Sequence, residues 1–442
     1  MFSKLILENF KAFNHFELNL METESLKKVK KLAMIYGENS IGKTSIIDAF
    51  SLLSNTFHAM RKISSLKDII TKNTMPFNGS LESFLNDFRV DALISELRKV
   101  GNTDLMVTHY EGYLMGSKEK FVYEMKFDSN LIVFEKLLIN NNIVFKFDKK
   151  NNALFISRDH IISEIVYDSI LEALKVYFGN FTFLSCLDSV AFKNVANASY
   201  HHAFSQQLVN FMSMIEMMMV KTADDFSWSP KERISTFAVN VVNGILRSKD
   251  DELRLQRTEQ ALSMYFGSLY SNIKGVEYKI TSDENGTRSY SLYFKEKNES
   301  GILIVPYHMV STGTKKMVDL FVYLYSACIN NVIVVIDEID TGINDLLLKY
   351  IFDGISSDVA GQLILTTHNT LLLKSSLKKN IYLLDRNGTF GVYAYSLDEF
   401  GRKIQEKTDI IGQYINGLYG GVPQCGSFSM KLISEAIRSH GK

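Results

Sequence analysis

Hydrophobic and polar residues alternate near both ends of the chain, which predicts β-strands on either side of a more helical middle. The segments FSKLILE and NHFELNL near the start indicate a pair of neighbouring strands. A longer alternating stretch, with a turn at Asn140–Asn142, predicts a β-meander. The predicted strand regions are residues 2–8, 14–20, 105–147, 276–282 and 289–295, with a closing hairpin over NIYLLDR and FGVYAYSL.

Three short segments are almost entirely apolar and show no alternation. They are LAMIY at 32–36, VIVVI at 332–336 and LILTT at 363–367. Strands that are covered on both faces lack alternation, because neither side meets water. The three runs therefore predict the buried centre of an α/β fold.

Apolar residues recur at helical spacing in several segments between these strands. The most apolar stretch, MSMIEMMMV at 212–220, indicates a buried helix, although methionines can also form an adaptable binding surface. The predicted helices are 45–60, 81–100, 161–178, 205–222, 231–273 and 427–439.

Charge and cysteine content narrow the classes of protein. The chain has 442 residues, with 49 basic and 49 acidic side chains, so nucleic-acid binding would need a local basic patch. Leu26–Lys31 and Arg61–Lys62 are the candidates, although such clusters are more often solvated faces. The sequence has no run of 18 apolar residues and no signal-peptide core, so no membrane contact is expected. Three widely separated cysteines form no metal-spaced pair, and a cytoplasmic location is expected.

A glycine-rich segment follows the first apolar run. Residues Gly37–Thr44 match G-x-x-x-x-G-K-[ST] between a predicted strand and a predicted helix. Gly37 and Gly42 would let the loop curl, so that backbone N–H groups and the following helix point at phosphate oxygens. Lys43 would reach the β- and γ-phosphates, and the Thr44 hydroxyl would ligate Mg²⁺.

Candidate catalytic residues follow the other two apolar runs. Asp337 would lie beside the metal, and Glu338, one residue on, could polarise the attacking water as a general base. His368 ends the third run; a lone histidine is more often structural, but its position at a strand end makes it a candidate. Ser311 and Gly313 open a predicted helix, either as an anion cradle or as an ordinary helix cap.

Taken in order, these motifs resemble the soluble ABC-type ATPases that include the SMC, RecF and OLD proteins. The opening LENFKAF resembles their NFKSF segment, GENSIGKTS their GxNGxGKTS loop, and VSTGTKK their LSSGTK signature. DEIDTGIN resembles DEIDxSLHP, and THN resembles the end of TTHN. The tail, YINGLYGGVP, resembles the YxxGRYGGxP ending of phage-defence ATPases such as the RloA, AbiLi-type and PARIS AriA families.

The resemblance implies a P-loop ABC-type ATPase head, with a mixed sheet, flanking helices, an antiparallel β-subdomain and a mostly helical insertion. Residues 1–150 and 276–410 would form the head, 151–275 an insertion for assembly or partner docking, and 411–442 a tail. It also implies ATP and Mg²⁺ as cofactors, catalysis by Glu338 and His368, and metal ligation by Thr44 and Asp337. The implied nucleotide contacts are Gly37, Asn39, Ser40, Gly42, Lys43, Thr44, Ser45, Ser311, Gly313 and Lys11.

The chain departs from the family pattern at several positions. Ser40 stands where glycine is usual, and Asn344 where histidine is usual. The family has a Q-loop glutamine before the insertion, but this chain has no glutamine before Gln206. Another residue would have to replace it, and the region His109–Tyr113 is one candidate.

Three functions remain open. In the family, the signature of one subunit completes the site of another, which implies a homodimer or a higher homo-oligomer. The first function is a nucleotide-gated sensor or scaffold in antiphage defence that controls a separate effector, such as a nuclease or toxin. The second is a DNA-binding ATPase of the RecF or SMC type in DNA repair or maintenance. The third is a non-hydrolysing scaffold, against which the presence of Glu338 argues.

Overall fold

The computed structural model describes most of the chain, and within that part it forms three β-sheets and ten α-helices. The described residues are 1–22, 28–71, 90–177, 179–194, 203–222, 236–238, 240–299, 301–387, 391–400, 408–422 and 429–439. The helices are α1 Lys43–Thr71, α2 Val90–Leu97, α3 Glu164–Tyr177, α4 Phe183–Asn194, α5 Gln206–Met217, α6 Lys249–Leu269, α7 Thr312–Cys328, α8 Asp345–Ile355, α9 Ile410–Ile415 and α10 Met430–Ser439. The strands are β1 Phe2–Phe10, β2 Phe13–Asn19, β3 Leu32–Tyr36, β4 Met106–Tyr113, β5 Lys120–Phe127, β6 Ile132–Ile139, β7 Asn142–Asp148, β8 Ala153–Ile156, β9 Met219–Lys221, β10 Asn243–Leu246, β11 Ile273–Ser282, β12 Arg288–Asn298, β13 Gly301–Pro306, β14 Ile333–Ile336, β15 Gln362–Thr366, β16 Ile381–Asn387 and β17 Gly391–Ser396.

The central sheet has the strand order β17-β16-β3-β15-β14-β9. The five strands from β16 to β9 run parallel, and only the edge strand β17 is antiparallel. Side chains of β3 and β14 enter two separate hydrophobic cores in alternation: Ile35 and Val335 lie in one, Met34 and Val334 in the other. Both faces of this sheet are therefore buried, which confirms the interpretation of the continuous apolar runs.

The second sheet is antiparallel, with the order β2-β1-β4-β5-β6-β7-β8. Helix α1 connects it to the central sheet through one hydrophobic core, to which Ile46, Phe50 and Leu53 contribute. The Phe50 ring meets Phe2 of β1 edge-on at 5.1 Å between centroids, and the Tyr110 hydroxyl of β4 donates to the Ala49 carbonyl. The helix that follows the glycine-rich loop is thus fixed on both sides.

The third sheet, β10 to β13, lies beside the second hydrophobic core. Strand β12 pairs with β11 on one side and with β10 and β13 on the other. Helix α6 packs on β11 and begins with a capping box, in which Ser248 and Asp251 each bind the other's backbone N–H. The expected fold class is confirmed: an α/β head with a mixed sheet, antiparallel sheets and flanking helices.

Two helix predictions in the middle of the chain are partly wrong. The helix expected over 205–222 ends at Met217, because Met219–Lys221 forms β9 beside β14 in the central sheet. The helix expected over 231–273 is limited to Lys249–Leu269, since Asn243–Leu246 forms strand β10. Residues 231–235, like 81–89 of another predicted helix, lie outside the described residues.

The methionine-rich stretch is core. Met212, Met214, Met218 and Met219 are all less than 9% exposed. The first three join the core around α1, whereas Met219 joins the core on the opposite face of the central sheet. The interpretation as a buried segment is confirmed, and these side chains leave no adaptable surface for a partner.

A buried carboxylate links the second sheet to α4. Glu135 of β6 is fully buried and accepts hydrogen bonds from the backbone N–H groups of Phe183 and Leu184, at 2.6 and 3.1 Å, and from the Tyr123 hydroxyl at 2.8 Å. The carboxylate therefore caps the first turn of α4. Burial outweighs these three hydrogen bonds and raises the pKa of Glu135 to about 7.

The Glu135 titration predicts that the contribution of this residue to stability falls as the pH rises from about 5 to 8. The buried amino group of Met1, whose pKa burial lowers to about 5, acts in the opposite direction, so the two contributions are separated by mutation. The native protein holds the Glu135 proton up to a pKa of about 7, whereas the unfolded chain releases it near 4.5. The unfolded state then binds fewer protons at this residue, so its contribution to the free energy of unfolding decreases by about 3 kcal/mol across the window. Free energies of unfolding from urea titrations over this range should fall in the wild type relative to Glu135→Gln. Glu124→Gln on the neighbouring strand is the control and should keep the wild-type profile, whereas parallel profiles of the wild type and Glu135→Gln would contradict the assignment.

Candidate functional site

The glycine-rich loop lies between β3 and α1, as the sequence predicts. Gly42 has φ +117, and a Cβ there would lie 2.5 Å from the Phe13 ring. A Cβ on Gly37 would lie 2.9 Å from Ile41 Cγ2. Because no side chain fits at either position, both glycines are required for the loop to curl.

Lys43 folds back over this loop. Its side chain is buried, and Nζ donates to the Gly37 and Glu38 carbonyls, both at 2.9 Å. Burial lowers the pKa of Lys43, while the carboxylates of Asp337, Glu338, Asp340 and Glu38 oppose that shift. The loop carbonyls thus hold the ammonium group, and the charges of the nearby carboxylates favour its protonated form.

The loop's other predicted residues divide into exposed and buried groups. Asn39, Ser40 and Thr44 are exposed to solvent, and Ser45 is buried in the first turn of α1. Ser40 adopts φ +64, in the left-handed region that favours glycine.

Lys11, at the tight turn between β1 and β2, forms an ion pair with Asp48 of α1 at 2.5 Å, so the structure gives it a role in holding the helix.

Asp337 ends β14 and is almost fully buried. Its Oδ1 accepts a hydrogen bond from the Thr366 hydroxyl at 2.5 Å. Its Oδ2 is buried with no hydrogen-bond partner among the described residues. A buried carboxylate oxygen without a partner is costly unless a cation or another donor meets it.

Glu338 is half-buried and has φ +44, a left-handed backbone that a non-glycine residue adopts rarely. Its N–H donates to the Thr366 hydroxyl at 2.7 Å, and its Oε2 accepts from the Thr341 hydroxyl at 2.9 Å. Thr366 therefore binds both acidic residues, and it fixes the turn in which Glu338 leaves the strand.

His368 follows β15 and lies near the same carboxylates. Its backbone N–H donates to both carboxylate oxygens of Asp340, at 3.1 Å each, which ties the two strand ends together. Partial burial, and then the Lys43 charge, lower the pKa of His368, so the neutral ring predominates at pH 7. The imidazole can accept or donate a hydrogen bond at the mouth of the site.

Ser311 and Gly313 lie at the start of α7. Ser311 is the N-cap, and its hydroxyl accepts from the Thr314 N–H at 3.1 Å. A Cβ on Gly313 would lie 3.1 Å from the Gly342 carbonyl, so the signature packs on the turn that follows Glu338. Among the described residues, no hydrogen bond or close contact joins Ser311 or Gly313 to the Gly37–Lys43 loop of the same chain.

The sequence analysis missed Lys221 and Thr222. Lys221 ends β9, and its carbonyl accepts from the Asp337 N–H at 2.8 Å. Both residues line a pocket that Asp337, Glu338 and Thr341 also line. The sequence predicted a helix over Met219–Lys221. It therefore did not place Lys221 and Thr222 beside Asp337 and Glu338.

The sequence analysis also missed Arg386, at the end of β16. Its Nε lies 3.2 Å from Glu38 Oε1, and its Nη2 donates to the Ser40 carbonyl at 3.2 Å. These contacts hold the loop where Ser40 takes its left-handed conformation, and they offset part of the cost of a non-glycine residue there.

Among the described residues, no hydrogen bond or ion pair joins the His109–Tyr113 region to the glycine-rich loop. His109 binds Glu111 at 3.2 Å, Glu111 pairs with Lys120, and the Tyr113 N–H donates to the Met1 carbonyl. Those described contacts all lie within the antiparallel sheet. Lys221 and Thr222, at the end of β9, are the residues that line a pocket together with Asp337.

One side chain of each candidate basic patch is paired with carboxylates, whereas Lys28 and Lys31 of the first patch are exposed. Arg61 pairs with Asp188 at 3.3 Å and with Glu216 at 3.0 Å. Lys30 is buried, and it binds Ser396 at 2.6 Å and Asp398 at 3.3 Å. The first part of the Leu26–Lys31 cluster lies outside the described residues.

Comparisons with known proteins cover these motifs in part. Residues 205–374, less than half of the chain, match the family described as "AAA domain, putative AbiEii toxin, Type IV TA system". The comparison with curated proteins found no match. Among the described residues, no helix has the length and apolar character needed to cross a membrane.

Three SMC head structures are similar to the chain at low identity. An SMC head bound to the C-winged helix domain of ScpA is 14% identical, covers 90% of this chain and 98% of its own, and has a TM-score of 0.47. A Pyrococcus furiosus Smc head with an extended coiled coil, bound to the C-terminal domain of ScpA, is 13% identical over 90% and 97%, with a TM-score of 0.43. The Thermotoga maritima SMC head is 13% identical over 89% and 98%, with a TM-score of 0.38. The family match, to a model described as an AAA domain, spans Ser311, Asp337, Glu338 and His368 but not the Gly37–Thr44 loop.

Proposed function

We propose that the chain binds ATP with Mg²⁺ and hydrolyses it, and that it uses this cycle as a cytoplasmic sensor in antiphage defence. The observation that carries the first part is the placement of Lys43. Its ammonium donates to two carbonyls of the curled Gly37–Gly42 loop, and the negative charges of Asp337 and Glu338 act on it. This arrangement suits a triphosphate, whose oxygens would replace the two carbonyls as partners of Nζ.

The residues present fit a magnesium ion. The buried Asp337 Oδ2 has no hydrogen-bond partner among the described residues, and Thr44 presents an exposed hydroxyl at the start of α1. Within the described part of the chain, no group of three or more His, Cys, Asp or Glu side chains could hold a metal ion by itself. We therefore assign Thr44 and Asp337 as ligands of an ion that arrives with the nucleotide. When bound, Mg²⁺ would neutralise charge on the phosphates.

Glu338 is the proposed general base. Its carboxylate would accept a proton from the attacking water as the bond from that water to the γ-phosphorus forms. The Thr341 hydroxyl orients Oε2, and the Thr366 hydroxyl holds the backbone that carries the side chain. The neutral His368 ring is proposed to orient the water or contact the γ-phosphate.

A second copy of the chain is proposed to complete the site. Ser311 is exposed, and with Gly313 it opens α7 as a helix N-terminus suited to an anion. In a homodimer the pair would meet the γ-phosphate held by Lys43 of the other subunit. ATP would then join two copies, and hydrolysis would release them.

The defence role rests on the tail resemblance and on the AbiEii description of the matched family. We infer that the nucleotide-bound dimer holds a separate protein effector, such as a nuclease or toxin, and frees it on hydrolysis. The test is affinity capture of Glu338→Gln from its native host with ATP present, beside Lys43→Ala as the unbound control. A stoichiometric protein specific to Glu338→Gln supports the role. Nucleic acid without protein would instead favour a DNA-maintenance ATPase, and no specific partner would remove the sensor role.

A further inference from the structure

The segment before the last helix folds back against the phosphate-binding loop. The rings of Tyr36, which ends β3, and Tyr414 of α9 lie 6.3 Å apart at 69°. A Cβ placed on Gly421 would lie 3.7 Å from the Gly37 Cα. The first glycine of the loop therefore has a C-terminal glycine as a direct neighbour.

The end of β16 provides the anchor for this contact. Asp385 Oδ1 accepts from the Gly421 N–H at 3.3 Å, and its Oδ2 accepts from the Tyr393 hydroxyl at 3.1 Å. The Tyr414 hydroxyl donates to the Gly421 carbonyl at 3.1 Å. Gly421 is thus held through both its backbone N–H and its carbonyl.

Both tail glycines are required by space and by backbone conformation. Gly420 and Gly421 have φ +65 and +67. A Cβ on Gly420 would lie 2.2 Å from Asp385 Oδ2, and one on Gly421 would lie 2.9 Å from the Leu384 carbonyl. A side chain at Gly421 meets the backbone of β16 and therefore requires the tail to move, whereas one at Gly420 requires the Asp385 carboxylate to rotate away.

Leu384 contacts the loop from the same strand end. A Cβ on Gly37 would lie 3.1 Å from Leu384 Cβ, so the strand and the tail close on Gly37 together. Arg386, two residues further, holds Glu38 and the Ser40 carbonyl. The shape of the loop therefore depends on a strand end to which the tail is itself bound.

We propose that residues 408–422, here called the C-terminal brace, are a positioning element of the phosphate-binding loop. The proposal rests on the proposed nucleotide site. The brace holds Gly37 against Leu384 and so keeps the loop in the shape that receives a triphosphate. Coupling of this kind is reciprocal, so bound nucleotide must stabilise the docked brace by the same factor. The brace then relays occupancy of the site to the chain that follows it.

The test compares two alanine substitutions within the brace. Gly421→Ala should raise the Kd for a non-hydrolysable ATP analogue with Mg²⁺ about tenfold, because the new Cβ meets Leu384 and displaces the brace. Gly417→Ala is the matched control: it has φ +75, but a Cβ there meets nothing within 4 Å. The two substitutions carry similar backbone strain, so a difference between their Kd values reports the contact with Leu384. Equal Kd values for the two variants would overturn the proposal.

Amide exchange in the wild type provides the second measurement, in case Gly421→Ala fails to fold. The nucleotide analogue should slow exchange of the Gly420 and Gly421 amides, and Tyr414→Phe, which loses one hydrogen bond to the brace, should reduce that protection. Unchanged exchange on binding would overturn the proposal. A wild type that binds no ATP would instead refute the proposed function, so the two failures are distinguishable.

Discussion

Replacing Glu338 by glutamine is expected to lower ATP turnover at least a hundredfold while nucleotide affinity stays within about threefold of wild type. Glutamine has nearly the same shape, and its amide oxygen can still accept from the Thr341 hydroxyl, as Oε2 does at 2.9 Å. It cannot accept the proton of the attacking water at neutral pH. The loss should therefore appear in the chemical step and leave binding unaffected.

Single-turnover hydrolysis and a separate binding titration distinguish these two effects. In the presence of ATP, Glu338→Gln should also elute as a dimer in size-exclusion chromatography, because the closed form cannot discharge its nucleotide. Glu284→Gln, in the exposed turn between β11 and β12 of the third sheet, removes a carboxylate outside the central sheet and is the control. Turnover of Glu338→Gln at the wild-type rate would show that another group takes the proton.

Backbone strain at Glu338 gives this expectation structural support. A non-glycine residue with φ +44 costs about 1–3 kcal/mol, and such conformations persist where surrounding contacts enforce them. Thr366 enforces this one, since its hydroxyl accepts from the Glu338 N–H and donates to Asp337. One side chain thus sets the geometry of the proposed metal ligand and of the proposed base.

The central strands and the loop glycines could be predicted because their signals are local. LAMIY and VIVVI are apolar at every position, which only burial on both faces explains. Gly37 and Gly42 lie at fixed spacing before a helix, and the structure shows that a Cβ at either would collide with neighbours. Patterns of this kind need no knowledge of distant contacts.

Strand β9 and its site residues could not be predicted, because their environment comes from distant parts of the chain. MSMIEMMMV is apolar apart from Ser213 and Glu216, and periodicity cannot distinguish a buried strand from a buried helix in so short a run. Pairing with β14 decides the outcome by placing Val220 opposite Val335. Lys221 reaches Asp337 only as a result of that pairing.

Charged residues show the same limit. Lys30 looks like part of a solvated basic cluster, yet it is buried against Asp398, more than 360 residues along the chain. Arg386 carries no motif, and only the pairing of β16 with β3 brings it to Glu38. Local charge patterns say little about which long side chains fold inward.

Replacing Lys43 by alanine is expected to weaken ATP binding more than a hundredfold. Lys43 is the residue of α1 whose ammonium group contacts the loop, and alanine leaves the triphosphate without that charge. The Gly37 and Glu38 carbonyls would also lose their donor, so the loop would lose part of its shape before any nucleotide arrives.

Binding must be separated from folding, and thermal stability provides the means. ATP at about a hundred times its Kd should stabilise the wild type by about 2.7 kcal/mol, which raises its Tm, whereas Lys43→Ala should show no such increase. Lys349→Ala removes a lysine that pairs with Asp353 at the surface of α8, so it should retain the full shift. A Lys43→Ala protein that kept its fold and still gained stability from ATP would place the phosphates elsewhere. In that case the curled loop, the unpartnered Asp337 oxygen and the strained Glu338 would all require a different ligand to explain them.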